Sequence, residues 1–142
     1  MSQHIQLRDV YKEYTYDQDK VRTPEETVVL VRERLAHIEM DILQKTMRID
    51  TGRLDIPVYI SLCGTDAVRT IGTKKQMGKG GTPVQAEASA LMELVERFSF
   101  FSFIKDRIFP VKTYADVGDQ VLPIELLQLS LHDGDTDPET AA

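Results

Sequence analysis

The chain has 142 residues, 42% of them hydrophobic, and a formal charge of −6 at pH 7, which is the size and apolar content of one ordinary domain with its own core. An acidic excess of this size repels polyanions, so it excludes nucleic acid and anionic membrane surfaces as partners held by net charge. Cys63 is the single cysteine, which excludes a disulfide framework and a cysteine metal cluster and suits a reducing, cytoplasmic setting.

No apolar run approaches a membrane span of roughly 18 residues, and the N-terminus lacks the apolar stretch of a signal peptide, so a soluble protein is expected. Residues 1–22 are polar and dotted with Tyr11, Tyr14 and Tyr16, with charge around Asp17, Asp19 and Lys20. They read as an irregular N-terminal arm. Thr23-Pro24-Glu25-Glu26 then starts a helix: Thr23 as N-cap, Pro24 at the first helical position, and Glu26 three residues after the cap to complete a capping box. Val28, Val31, Leu35 and Ile38 recur at helical spacing, which predicts an amphipathic helix to about residue 38.

From Asp41 the pattern turns to β. ILQKTMRI, PVYISLC and VRTIGTKKQM read as three strands separated by DTGRLD and GTDA, and the short connections favour antiparallel neighbours. PVYISLC is almost continuously apolar or β-prone, as in a central strand covered on both faces. Gly78-Lys79-Gly80-Gly81-Thr82-Pro83 leads into VQAEASALMELVERFSFF, a second and longest helix capped by Thr82 or Gly81 and running to about residue 104. Beyond Arg107 come a short strand or loop, a turn at Gly118-Asp119 and a short helix after Pro123. The expected organisation is an arm at 1–22, a body at 23–130 and an acidic flexible tail at 131–142. The fold class is α+β, a mainly antiparallel sheet packed by two long helices.

Glycines before a helix can cradle phosphate on free N–H groups. The named patterns fail here: Thr73 and Gly80 stand where a Walker A loop needs Gly and Ser or Thr, and Pro83 occupies the last glycine of the dinucleotide pattern. The structural reading is a strand-to-helix turn in which Gly78, Gly80 and Gly81 merely permit positive φ. On the helix that follows, at about 100° per residue, Ser89, Glu93 and Glu96 share one sector with Arg97 at its margin, while Leu91, Leu94, Val95 and Phe98 point the other way. Carboxylates three apart can hold Mg²⁺ through oxygen ligands. The plain alternative is a solvated face with Glu–Arg pairs of small worth. Ala86, Ala88, Ala90, Met92, Phe100 and Phe103 imply a helix buried on most of its circumference, where carboxylates need a partner.

Gly78-Lys79-Gly80 followed by the spacing S-x-x-x-E-x-x-E-R over Ser89, Glu93, Glu96 and Arg97, and then the aromatic FSFF, resembles the YcaO domain family of ATP-dependent enzymes that activate backbone amides. Lys12 ahead of TPEET and the strand DTGRLDIPVYIS are similar to the family's N-terminal region, so the resemblance extends over residues 12–110. It implies a nucleotide site in which Ser89, Glu93, Glu96, Arg97, Lys12 and Lys79 bind ATP, and Glu93 and Glu96 ligate Mg²⁺. Lys20 falls near a position where members carry Arg. The implied reaction is phosphorylation of a peptide amide oxygen, yielding an azoline or a thioamide, and no residue is assigned the catalytic step itself. Members are much longer, so the chain corresponds to an incomplete, N-terminal part of the domain, with further acidic motifs and an arginine falling beyond residue 142. The implied partners are a peptide or protein substrate and an E1-like or TfuA-like protein, and exposed core surface favours a homo-oligomer, formed by exchange of the 23–38 helix or the long helix. The alternative is a non-catalytic YcaO-like scaffold that binds a peptide or partner protein.

The remaining candidates are structural. Cys63 reads as a core residue, because no histidine stands near it in a nucleophile signature. His4, His37 and His132 lack metal-ligand spacing, and His37 suits a helix end. Lys74 and Lys75 suit a protected sheet edge, and the tyrosines of the arm suit an edge strand that covers a core.

Overall fold

The structure is a computed structural model that describes residues 8–15, 18–118 and 121–129. His4, Tyr16, Asp17, His132 and the expected tail at 131–142, with Asp133, Asp135 and Asp137, lie outside the described residues. The chain divides into two compact units, the first ending at Arg107 and the second beginning at Ile108.

In the first unit the expected irregular arm contains a short ribbon. Strands β1 (Glu13–Thr15) and β2 (Gln18–Lys20) pair antiparallel, Glu13 opposite Lys20. Helix α1 (Pro24–Ala36) starts where the capping box predicts: Thr23 N–H donates to the Glu26 carboxylate at 3.0 Å and Glu26 N–H donates to Thr23 Oγ1 at 3.2 Å. Val31 is buried, and at the far end His37 Nδ1–H donates to the Glu33 carbonyl at 2.6 Å.

Strands β3 (Leu43–Arg48), β4 (Val58–Cys63) and β5 (Lys75–Lys79) form an antiparallel sheet in the order β3-β4-β5. The near-continuous run is the central strand, but the sheet is not closed equally on its two sides. Thr46, Ser61 and Gln76 are paired across the face where Ser61 Oγ–H donates to the Ala90 carbonyl at 2.8 Å. On the opposite face Ile60 is buried, yet its cross-strand neighbours Met47 and Met77 remain 40% and 54% exposed.

The third predicted strand is only half strand. Thr65–Ile71 forms helix α2, and β5 begins at Lys75. The cause is a cap supplied from far upstream. Asp41 accepts the Thr65 N–H on its carboxylate at 2.7 Å and the Asp66 N–H on its carbonyl at 3.0 Å, while the Asp66 carboxylate accepts the Asp41 N–H at 2.9 Å. These bonds satisfy donors that a helix start leaves open. Gly72, at φ 82°, then ends the helix in the left-handed conformation that a β-carbon disfavours.

Helix α3 (Pro83–Lys105) opens on a second capping box between Thr82 and Gln85. The glycines before it do not act through positive φ, which none of Gly78, Gly80 and Gly81 adopts. Gly78 lies inside β5, and a β-carbon there would fall 2.1 Å from the Ala90 nitrogen and 2.5 Å from the Ala86 carbonyl oxygen. The glycine is needed because the helix backbone touches the strand. Ala86, Ala90, Leu91 and Leu94 are buried along this contact, whereas Phe100, Phe103 and Ile104 are 55%, 49% and 41% exposed. The helix is therefore enclosed over its first half and open over its second, not buried around most of its length.

The core comprises Ile42, Cys63, Ala67, Ile71 and Leu94, with Leu35, Val68, Phe98 and Phe101 packed against it. Cys63 takes the core position expected of it, and burial pushes its thiol pKa up. A polar knot joins α1, β3 and α3 beside this core. Arg32 donates to both Thr46 Oγ1 and Glu87 Oε1, and Thr46 Oγ1–H donates to the same Glu87 oxygen at 2.6 Å. Burial pushes the Glu87 carboxyl up, but the hydrogen bonds from Thr46 and Arg32 outweigh it and hold the group below its ordinary value. The second unit contains α4 (Tyr114–Val117), which the sequence reading did not anticipate, and α5 (Ile124–Gln128), which follows Pro123 as expected. The observed class is α+β, as the sequence predicts.

Gly78→Ala is expected to lower the stability of the fold by about 3 kcal/mol, the upper end of the usual overpacking range, because the obstructing atoms are backbone. Gly81→Ala, whose β-carbon would meet only a Gln85 side-chain oxygen at 3.2 Å, should stay within about 0.5 kcal/mol. Urea unfolding compares the two, and equal losses would refute the contact argument. A depressed carboxyl stabilises the fold at a pH above its unfolded value and loses that contribution as pH falls through its folded value. Glu87→Gln should therefore be less stable than the parent at pH 7, with the gap narrowing as pH drops below 4.5. A gap that stays constant with pH would mean that the knot does not act through the Glu87 charge.

Candidate functional site

The candidate site is the outward face of α3, and the packing just described sets where that face stands. The Thr82–Gln85 box fixes the start of the helix, and the Gly78 contact together with the Ser61–Ala90 hydrogen bond fixes its rotation on the sheet. With Leu91 and Leu94 turned inward and fully buried, Ser89 and Glu96 are exposed and Glu93 is partly exposed. The helical spacing of the sequence thus brings the predicted hydroxyl and two carboxylates onto one sector.

The partner expected for these carboxylates lies within the same helix. Arg97 Nε–H donates to Glu93 Oε1 one turn away. The Glu93 hydrogen bond and charge raise the Arg97 pKa above its ordinary value, and the Glu96 charge adds to them. The Glu93 side chain is 33% exposed and that of Arg97 47%, so the pair is solvated. Among the described residues no group of three or more His, Cys, Asp or Glu side chains converges as a metal cage.

The donor set nevertheless fits a nucleotide-bound Mg²⁺. This ion keeps several waters and commonly takes one or two carboxylates plus phosphate oxygens, and accessible Glu93 and Glu96 supply that share. The lysines are not gathered with them. Lys12 pairs with Asp19 at 2.9 Å on the N-terminal ribbon, and Lys20 is exposed at the end of β2. Lys79 is the exposed last residue of β5. It follows directly in the chain on Gly78, which abuts Ala86 and Ala90 of α3.

The polar knot of Arg32, Thr46 and Glu87 was not foreseen from the sequence. Glu87 sits two residues before Ser89, about 200° around the helix from it, so it faces α1 and the sheet rather than the candidate sector. Its signal exists only once α1 and β3 are placed beside α3.

Residues 77–141 match the family model described as YcaO cyclodehydratase, ATP- and Mg²⁺-binding. The family resemblance read from the sequence is borne out by this match, whose span contains Lys79, Ser89, Glu93, Glu96 and Arg97; Lys12 lies outside it. No curated protein matches the chain. Among solved structures, YcaO from Methanopyrus kandleri bound with AMPPCP and Mg²⁺ is 27% identical, with a TM-score of 0.43. The match covers 61% of this chain and 22% of that one. No helix among the described residues is long and apolar enough to cross a membrane.

Because the Glu93–Arg97 pair is solvated, Glu93→Gln and Arg97→Gln should each cost no more than about 0.5 kcal/mol. Urea unfolding at low salt measures this directly. A loss above about 2 kcal/mol would make these residues part of the fold's support rather than a face free to take a ligand.

Proposed function

We propose that the chain supplies one wall of the nucleotide site of an ATP- and Mg²⁺-dependent enzyme that phosphorylates a peptide backbone amide oxygen. The phosphorylation follows nucleophilic attack on the carbonyl carbon, and loss of the phosphate then leaves an azoline where a neighbouring Cys, Ser or Thr side chain attacked, or a thioamide where external sulfide did. The observation that carries this reading is the single accessible sector of Ser89, Glu93 and Glu96, lying inside the segment that matches the YcaO family model.

In this reading Glu93 and Glu96 hold the metal through carboxylate oxygens. Bound there, Mg²⁺ would neutralise charge on the transferred phosphoryl group. Ser89 donates its hydroxyl to a phosphate oxygen, and Lys79 and Lys12 act as point charges toward the phosphates. Arg97 offsets the Glu93 charge in the free protein, and its guanidinium would serve as a further donor to a phosphate oxygen. The logic of the reaction is that an amide oxygen leaves poorly and a phosphate leaves well, so positioning and charge neutralisation do most of the catalysis.

The proposed partners are a peptide or protein substrate, an E1-like or TfuA-like protein, and a second copy of the chain meeting the exposed Phe100, Phe103 and Ile104 surface. A second reading, a scaffold that binds a peptide or partner without catalysis, is supported by the Glu93–Arg97 pair, since a self-neutralised solvated face needs no ligand.

Calorimetric titration of Mg²⁺-ATP separates the two readings. It is run on this chain and on a form extended to the length of the YcaO relative, each with and without Glu93→Gln. Binding by the extended form that Glu93→Gln weakens at least tenfold is the result expected of the enzyme. Absence of binding by both forms, or binding indifferent to Glu93, would establish the scaffold reading instead.

A further inference from the structure

A cavity of about 510 Å³ opens at the end of the sheet near α2, lined by Gln44, Leu62, Cys63, Thr65, Val68, Arg69 and Lys74. Its walls come from β3, β4, α2 and the turn before β5, so it shares no residue with the α3 sector. The volume lies in the range of small-molecule sites, about 300–1,000 Å³.

Leu62, Val68 and Cys63 make an apolar wall, and Arg69 and Lys74 are exposed beside it. Neither cation is firmly neutralised. Arg69 meets Asp66 only at 3.8 Å, with the Asp66 carboxylate also accepting the Asp41 N–H at 2.9 Å, and Lys74 has no ion-pair partner among the described residues. Among the described residues no carboxylate lines the cavity, although the chain as a whole carries a charge of −6. The strand geometry contributes independently. The β3–β4 register shifts between Leu43 and Lys45, which leaves Gln44 as the extra residue of a bulge on an edge strand. Bulges of this kind re-aim a side chain, and here the residue is one that lines the cavity.

We infer that this cavity binds a carboxylate borne on an aliphatic body, with Leu62 and Val68 against the chain, Arg69 and Lys74 on the carboxylate, and the Gln44 amide as the orienting hydrogen-bond group. The charge selects an anion, and the apolar wall selects against inorganic phosphate or other ions with no apolar surface to bury. The same chemistry is presented by a free medium-chain fatty acid and by the C-terminal leucine of a peptide. This inference stands independently of the nucleotide reading.

The single cysteine serves as the reporter. The rate at which Cys63 reacts with a thiol reagent in the full chain is measured with octanoate, with acetyl-glycyl-leucine, and with the neutral amide of each. Either acid should slow the reaction at least fivefold and its amide should not, and whichever acid acts identifies the source. Leu62 and Val68 methyl shifts in NMR follow the same titrations and do not depend on thiol reactivity. The exposed double variant Arg69→Gln, Lys74→Gln should weaken the acid at least tenfold while leaving the urea midpoint unchanged. Methyl shifts unmoved by both acids, equal effects of acid and amide, or undiminished binding to the double variant would each overturn the inference.

Discussion

The close approach of α3 to β5 at Gly78 is the constraint on which the rest of the first unit depends. A β-carbon at that position would overlap the helix backbone at Ala86 and Ala90, so glycine on the strand and alanine on the helix are two halves of one contact. Small residues on both sides let backbone meet backbone, which brings the Ala90 carbonyl within reach of Ser61 and turns Leu91 and Leu94 into the core. Dense packing of this kind tolerates little adjustment. With one side of the helix committed, its rotation is set, and Ser89, Glu93 and Glu96 are left on the open side.

Two polar arrangements hold the other elements to this frame. Asp41 and Asp66 exchange hydrogen bonds that tie the start of β3 to the start of α2, and the Arg32–Thr46–Glu87 knot ties α1 to both the sheet and α3. The first caps backbone donors at the surface, and the second satisfies the part-buried Glu87 carboxylate, which burial would otherwise penalise. Each also spans a long sequence distance, so it reports the assembled fold and not any local preference.

Chemically the molecule presents two faces of opposite character. The α3 sector is anionic, solvated and partly self-neutralised by Arg97, which suits a group that takes a cation when a phosphate arrives. The cavity beside α2 is apolar with cations at its edge, which suits a ligand carrying its own negative charge. They are built from different elements, so one can be altered without disturbing the other. The YcaO match covers the first of these and begins at Met77, after every residue that lines the second.

Much of this was legible in the sequence, for local reasons. The first helix announced itself through the Thr23–Glu26 capping box and both long helices through a proline in the first turn, the central strand through its continuous apolar run, and the Ser89–Glu93–Glu96 sector through helical spacing. What failed were readings that needed a distant partner. VRTI reads as strand because its cap, Asp41, lies 24 residues before Thr65, and Gly78 reads as a turn residue because the helix that crowds it comes later in the chain. The sequence leaves a metal and a Glu–Arg pair both open as partners of the carboxylates, and it takes the packing to show that this part of α3 faces solvent and that Arg97 pairs with Glu93. The sequence by itself determined the two long helices, the central strand and the residues that share a helix face, because capping and periodicity act over a single turn. Only the tertiary structure decided which face is covered, where glycine is obligatory and which charges meet, because those depend on backbone and side chains brought together across the fold.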